Sequence, residues 1–322
     1  MTAGDNESAM PLVREQPVML IPIDMDVANA ELSGLAWYGD RLILLPQYPN
    51  WAGTPGDGNV VMLAKSDIVA YIEGRSRTPL KPHNVPFITA GLEKSIEGFQ
   101  GYEAMVVTGS HIYLTIEAEP QKMLGYIVRG NISPSGDEIR LDSRMLVKIA
   151  PEANIENASY ETLVLAGDKL AAIFEANGAN VNRNPVAHMF SLDLEPLGTL
   201  PFPNVEYRIT DATHVDEEGL FWTMNDYYPG DSESYKPAPD PLIARYGKGE
   251  THARSGAVER ILQFSYSSRG ISLMDRPPIQ LQLLDTTHTR NWEGLVCLEE
   301  RGFLIVTDGF PETLLGFVAL PE

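Results

Sequence analysis

The chain of 322 residues has a single cysteine, Cys297. No intramolecular disulfide can form, so packing alone must hold the fold. Set between Val296 and Leu298 in an apolar run, the thiol reads as a buried structural group rather than a nucleophile or ligand. Basic residues are also scarce: 24 Lys and Arg stand against 44 Asp and Glu, a formal net charge of −20. That balance argues against nucleic acid and against anionic membrane surfaces as partners. A run of about 18 apolar residues, as a membrane-spanning helix needs, is missing. Residues 1–10 are polar and lack the basic and apolar regions of a signal peptide, so no compartment is assigned. Walker A, Gly-x-Ser-x-Gly, His-Glu-x-x-His and Cys-x-x-Cys motifs do not occur, which removes the best-marked routes to nucleotide, serine, zinc and dithiol chemistry.

What the sequence does contain is a repeated hairpin. The clearest copy runs from Asn291 to Asp308: Glu293 opens an apolar strand, Glu299 to Gly302 make a polar turn, and a second apolar strand closes on Asp308. The same unit opens at Ser33, Glu103, Glu161 and Asp211 and closes at Gln47, Glu117, Glu175 and Asn225. Opener and closer lie 14 residues apart in those four copies and 15 in the last. Two strands of about six residues joined by a tight turn bring their first and last residues together at one end.

Two further strands follow each hairpin until the last, which has only one, Thr313 to Leu320. The strand Pro17 to Asp24 is left over at the other end and would complete that unit. This pattern predicts an all-β, five-bladed β-propeller over residues 17–322, its last blade closed by the N-terminal strand, with residues 1–16 as a disordered tail. Six blades is the alternative, if the long gaps from 33 to 103 or from 211 to 293 conceal a degenerate unit. The segment from Tyr227 to about Gly256 is either a lid or a disordered loop. A monomer is expected.

In such a fold the openers form a ring at one mouth of the channel: Ser33, Glu103, Glu161, Asp211 and Glu293. Glu31 lies on the same face as Ser33 and could supply the carboxylate that Ser33 lacks. Converging carboxylates repel, so either their pKa values rise or a cation sits among them. All-oxygen ligands favour a hard ion, and flexible geometry favours Ca²⁺ over Mg²⁺. The closers read as supporting residues behind that ring. Loops on the same face carry Arg183, Arg208, Arg290 and His288. Three arginines near a cation suit a phosphate ester, with His288 available for acid–base work. Pairing of each arginine with one of the many acids is the competing reading.

Ser33-Gly-Leu-Ala, Tyr102-Glu-Ala-Met, Tyr160-Glu-Thr-Leu and Asn291-Trp-Glu-Gly-Leu resemble the openers of esterase-like phytase and phytase-like propellers. They also resemble soluble calcium-activated nucleotidases, five-bladed propellers with calcium on the central axis. The resemblance implies that Glu103, Glu161, Asp211 and Glu293 surround calcium and that Ser33 ligates it through its hydroxyl or carbonyl. Ser33 replaces an acid, Asp211 is followed by Ala-Thr rather than Gly-Leu, and the dense basic cluster that phytate would need is absent. Two functions follow as expectations. One is a metal-assisted hydrolase of a phosphate ester or other ester, acting on a small anionic substrate. The other is a non-catalytic propeller in which a structural ion supports a ligand- or protein-binding face.

Overall fold

A computed structural model describes residues 12–24, 30–51, 53, 57–284, 289–309 and 312–321. Strand dominates, with 48% of residues against 11% in helix. The first strands are Leu32–Tyr38, Arg41–Pro46, Asn59–Ala64 and His83–Ile88, an antiparallel meander. A second meander follows: Phe99–Thr108, His111–Ala118, Leu124–Ile132 and Ile139–Ile149. The outer strands of these two meanders touch through a short parallel pairing, Ile139 with Phe87 and Arg140 with Ile88.

Thr162–Ala166, Lys169–Ile173, Val186–Ser191 and Pro196–Pro201 form the next sheet. Arg208–Ala212, Leu220–Tyr227 and Val258–Ser267 form another, whose outer position is split between Gly270–Leu273 and Ile279–Gln280. The split falls at Pro277-Pro278, where two consecutive residues have no N–H to donate. Trp292–Cys297, Gly302–Thr307 and Leu315–Ala319 form the last sheet, and Met19–Leu20 adds antiparallel to Leu315–Ala319. The left-over strand thus pairs where the sequence leaves room for it.

Three of the hairpin turns are two-residue loops that begin with glycine: Gly39-Asp40, Gly109-Ser110 and Gly167-Asp168. Each of these glycines has φ between 57° and 64°, and a Cβ there would meet nothing within 4 Å. The backbone conformation, not lack of space, requires glycine.

The first strand of each sheet packs beside the first strand of the next, and Trp292–Cys297 returns to Leu32–Tyr38. A separate apolar cluster fills each junction between successive sheets. Leu45 and Phe87 meet Met105 and Leu114; Val106 and Tyr113 meet Leu163 and Phe174; Val164 and Met189 meet Ile209 and Phe221. Met224 and Ile261 then meet Trp292 and Phe303, and Leu304 and Phe317 meet Leu44 and Val61. Each sheet therefore buries both faces against neighbours, and the chain has an all-β, propeller-type architecture.

Of the tail expected over 1–16, residues 12–16 are described and are packed. Leu12–Val13 pairs in parallel with Lys248–Gly249, and the Glu15 carboxylate accepts from the Thr251 and His252 backbone N–H groups and from the Thr251 hydroxyl. The 227–256 segment is short helices rather than open loop: Ser232–Tyr235, Pro241–Tyr246 and Glu250–Ser255. Asp240 caps the second of these by accepting from the Leu242 N–H. No helix among the described residues is long and apolar enough to cross a membrane.

Candidate functional site

At the start of several inner strands the ladder carries an extra residue. Leu32 pairs with Pro46 and Gly34 with Leu45, leaving Ser33 unpaired. Glu103 and Ala104 together oppose Thr115, Thr210 is extra between Ile209 and Asp211, and Glu293 is extra between Trp292 and Gly294. A bulge of this kind bends the strand and re-aims a side chain. It turns Glu103 and Glu293 toward the axis. In the fourth sheet the bulged residue is Thr210, whose hydroxyl donates to the Trp292 carbonyl, and Asp211 rejoins the ladder opposite Met224. A one-residue slip sends a side chain to the other face.

The mouth holds a polar cavity of about 260 Å³. Its walls are Glu31, Gln47, Tyr48, Gln100, Glu103, Glu117, Asn157, Glu161, Arg208, Asn291, Glu293 and Asp308. Arg208 organises one side. Its Nε donates to Glu175 at 2.7 Å, its Nη1 to Asn291 Oδ1 at 2.7 Å, and its Nη2 to both Glu161 oxygens at 2.9 Å and to Glu293 at 3.2 Å. The Asn291 amide in turn donates to Glu293 at 2.7 Å and to Asp308 at 2.9 Å. Glu175 also accepts from the Tyr235 hydroxyl at 3.1 Å, so the helical insertion after the fourth inner hairpin braces this cluster.

The opposite side lacks such compensation. Glu103 accepts one bond, from Gln47 Nε2 at 3.1 Å. Glu117 is 4% exposed, lines the cavity, and accepts a hydrogen bond from no described residue. Burial and the Glu175 charge push its carboxyl up to about 8, with Arg208 pulling the other way. Burial, then Glu117 and Glu293, raise Glu103 well above the usual carboxylate range. Glu293 rises to about 7 through burial and the neighbouring Asp308. Glu161 is raised by burial despite its two bonds to Arg208. The one guanidinium does not neutralise the whole wall.

The predicted residues separate into three groups. Glu31, Glu103, Glu161, Glu293 and Arg208 meet at the cavity. Asp211 and Ser33 do not: the Asp211 carboxylate accepts from the Ala212 N–H at 2.8 Å and the Leu295 N–H at 2.7 Å, fastening one inner strand to the next. Ser33 is buried, its hydroxyl 3.5 Å from the Glu31 carbonyl. Among the arginines, Arg290 is 4% exposed and locked on Glu259 with bonds of 3.0 and 2.7 Å, its guanidinium 5.0 Å from the Trp292 ring centre. Arg183 is exposed and outside the cavity walls. His288 lies outside the described residues.

The closers were expected behind the ring, yet Gln47, Glu117 and Asp308 form part of the cavity wall. Glu175 does lie behind it, and Asn225 bonds to the backbone carbonyls of Glu206 and Arg208. Tyr48, Gln100, Asn157 and Asn291 escaped the sequence reading. Only Asn291 carried a signal, as the residue two before the last opener. Among the described residues no three His, Cys, Asp or Glu side chains form an array that could hold a metal ion. Cys297 is half-buried on its strand, and burial pushes its thiol up to about 11, consistent with an inert group.

No family model matches the sequence, and no curated protein matches it. Solved structures resemble the fold. An exo-β-1,3-galactanase from Phanerochaete chrysosporium, determined with β-1,3-galactotriose, aligns at 10% identity and a TM-score of 0.52, over 94% of this chain and 64% of that one. A soluble aldose sugar dehydrogenase from Escherichia coli aligns at 10% identity and a TM-score of 0.46, over 94% and 99%. A glucose dehydrogenase gives the same identity and TM-score over 94% and 99%. At this identity the likeness is one of fold: this chain shares a propeller-type architecture with solved proteins.

Proposed function

We propose that the chain is a five-bladed β-propeller whose mouth cavity binds a positively charged ligand. The blade count rests on the circuit of inner strands and on the apolar junctions between successive sheets. One observation carries the ligand reading: Glu117, almost fully buried, faces the cavity with no donor to its carboxylate among the described residues. A buried acid left unpaired is costly, and a bound cation would supply the missing partner.

Calcium is the cation that the resemblance implies. The donors are the right type, all oxygen. The ring expected for it is not assembled, because Arg208 stands among Glu161, Glu175 and Glu293 while Asp211 and Ser33 are engaged elsewhere. The described residues therefore do not supply calcium's ligand set, and no hydrolytic step is derived through it. Hydrolysis of a phosphate ester loses support for a second reason. Arg208 is held by acids, Arg290 is locked on Glu259, and Arg183 is not in the cavity wall, so an anionic substrate would meet an acidic wall. A binding propeller is the better-supported function.

The test is thermal unfolding with a panel of chlorides at equal ionic strength: calcium, magnesium, ammonium and choline. At least one cation should raise the melting temperature of the wild type and leave Glu117→Gln unmoved. If none separates the two proteins, the mouth is not a cation site.

A further inference from the structure

The cavity's size and the spacing of its acids narrow the ligand's chemistry. Resting on the reading of the mouth as a cation site, we propose that its ligand is a small organic ammonium, seated between Glu103 and Glu117 with its alkyl groups against Tyr48. A volume of about 260 Å³ is far more than a bare metal ion fills. A hard dication needs six to eight converging oxygens, or near-ideal octahedral geometry, and no three acids among the described residues converge in this way.

An ammonium asks for less. It is satisfied by two or three acceptors at ordinary hydrogen-bond distance or, when methylated, by a carboxylate beside an aromatic face. Both elements are present. Among the described residues neither Glu117 oxygen has a donor, and Glu103 has one bond, from Gln47. Tyr48 is 40% exposed at the rim, and the edge-to-face packing of its ring with Phe99, centres 6.4 Å apart, fixes its orientation. The amides of Gln100 and Asn157 offer further polar contacts for a hydroxyl on the same ligand. Arg208, each of its nitrogens already bonded, repels a second cation from the far wall and so confines the ligand's charge to the Glu103–Glu117 side. The net charge of −20 draws cations toward the protein as a whole.

Calorimetric titration of the full chain with choline chloride, with its neutral isostere 3,3-dimethylbutan-1-ol, and with calcium chloride tests this. The expected result is saturable choline binding that weakens roughly tenfold or more in Glu117→Gln and in Glu103→Gln, with no binding of the alcohol. Tyr48→Leu, a change at the exposed rim, should weaken choline several-fold and leave folding intact, which keeps the test valid if either glutamine variant fails to fold. Glu117-dependent binding of calcium without choline would overturn the ammonium assignment and leave the cation site standing. Equal binding of the alcohol and choline would overturn both, as would binding of neither salt.

Discussion

Arg208 Nε lies 2.7 Å from Glu175 Oε2, inside a cluster where the same guanidinium also bonds Glu161 and Glu293. Glu175 is fully buried and the Arg208 side chain is 13% exposed. One side chain of the fourth sheet therefore ties together acids of the third and the last sheets, at the place where a free ion was expected.

Removing that guanidinium should be costly. Arg208→Met leaves three buried acids without their shared cation, a loss of about 3–5 kcal/mol for breaking a buried pair. Urea unfolding at pH 7 should show it as a lower midpoint. At pH 5 the deficit should shrink, because Glu161 and Glu293, both raised by burial, can then take up protons. Equal midpoints at pH 7 would mean that the cluster contributes nothing to the fold.

Asp211 and Glu117 should behave oppositely. Asp211→Ala deprives the Leu295 and Ala212 N–H groups of their acceptor. Leaving buried donors unpaired costs about 1–3 kcal/mol each at most, so this variant should melt lower yet keep its ligand affinity. Glu117→Gln should lose affinity without losing stability. Paired melting and binding measurements on the two variants separate these roles, and the reverse pattern would restore Asp211 to the site.

Stability should fall as pH rises from 5 to 9. In the folded protein burial raises Glu117 to about 8 and Glu293 to about 7, against an ordinary 4.5. Across that window the folded state binds more protons than the unfolded state, so their stabilising contribution is complete below about 4.5 and is lost as pH passes 7 and 8. Melting curves at one-unit intervals should show the decline. Glu117→Gln should flatten it, because glutamine has no proton to lose. A wild-type curve that rises over this range would contradict the assignment.

Much of the architecture was legible because a hairpin with a tight turn leaves a fixed spacing, and the strand at Met19–Leu20 was legible because one sheet lacked a member. The site was legible only in part. Spacing locates the end of a strand within a residue, whereas a bulge decides where each side chain there points; Asp211, at the expected spacing, accepts from backbone N–H groups instead of entering the cavity. Arg208 pairs with Glu161, Glu175 and Glu293, between 33 and 85 residues away in the chain, and no local pattern encodes such partners. Tyr235 bonding to Glu175 was hidden in a segment whose Pro, Gly and Ser content suggested loop.

The most direct test of the account is the ionisation of Glu117 itself, followed by carbon NMR of the glutamate carboxyl groups and assigned by comparison with Glu117→Gln. The account predicts a carboxyl that stays protonated at pH 7, titrates near 8, and ionises at lower pH once choline is added. A Glu117 that titrates near 4.5 and ignores every cation would contradict it.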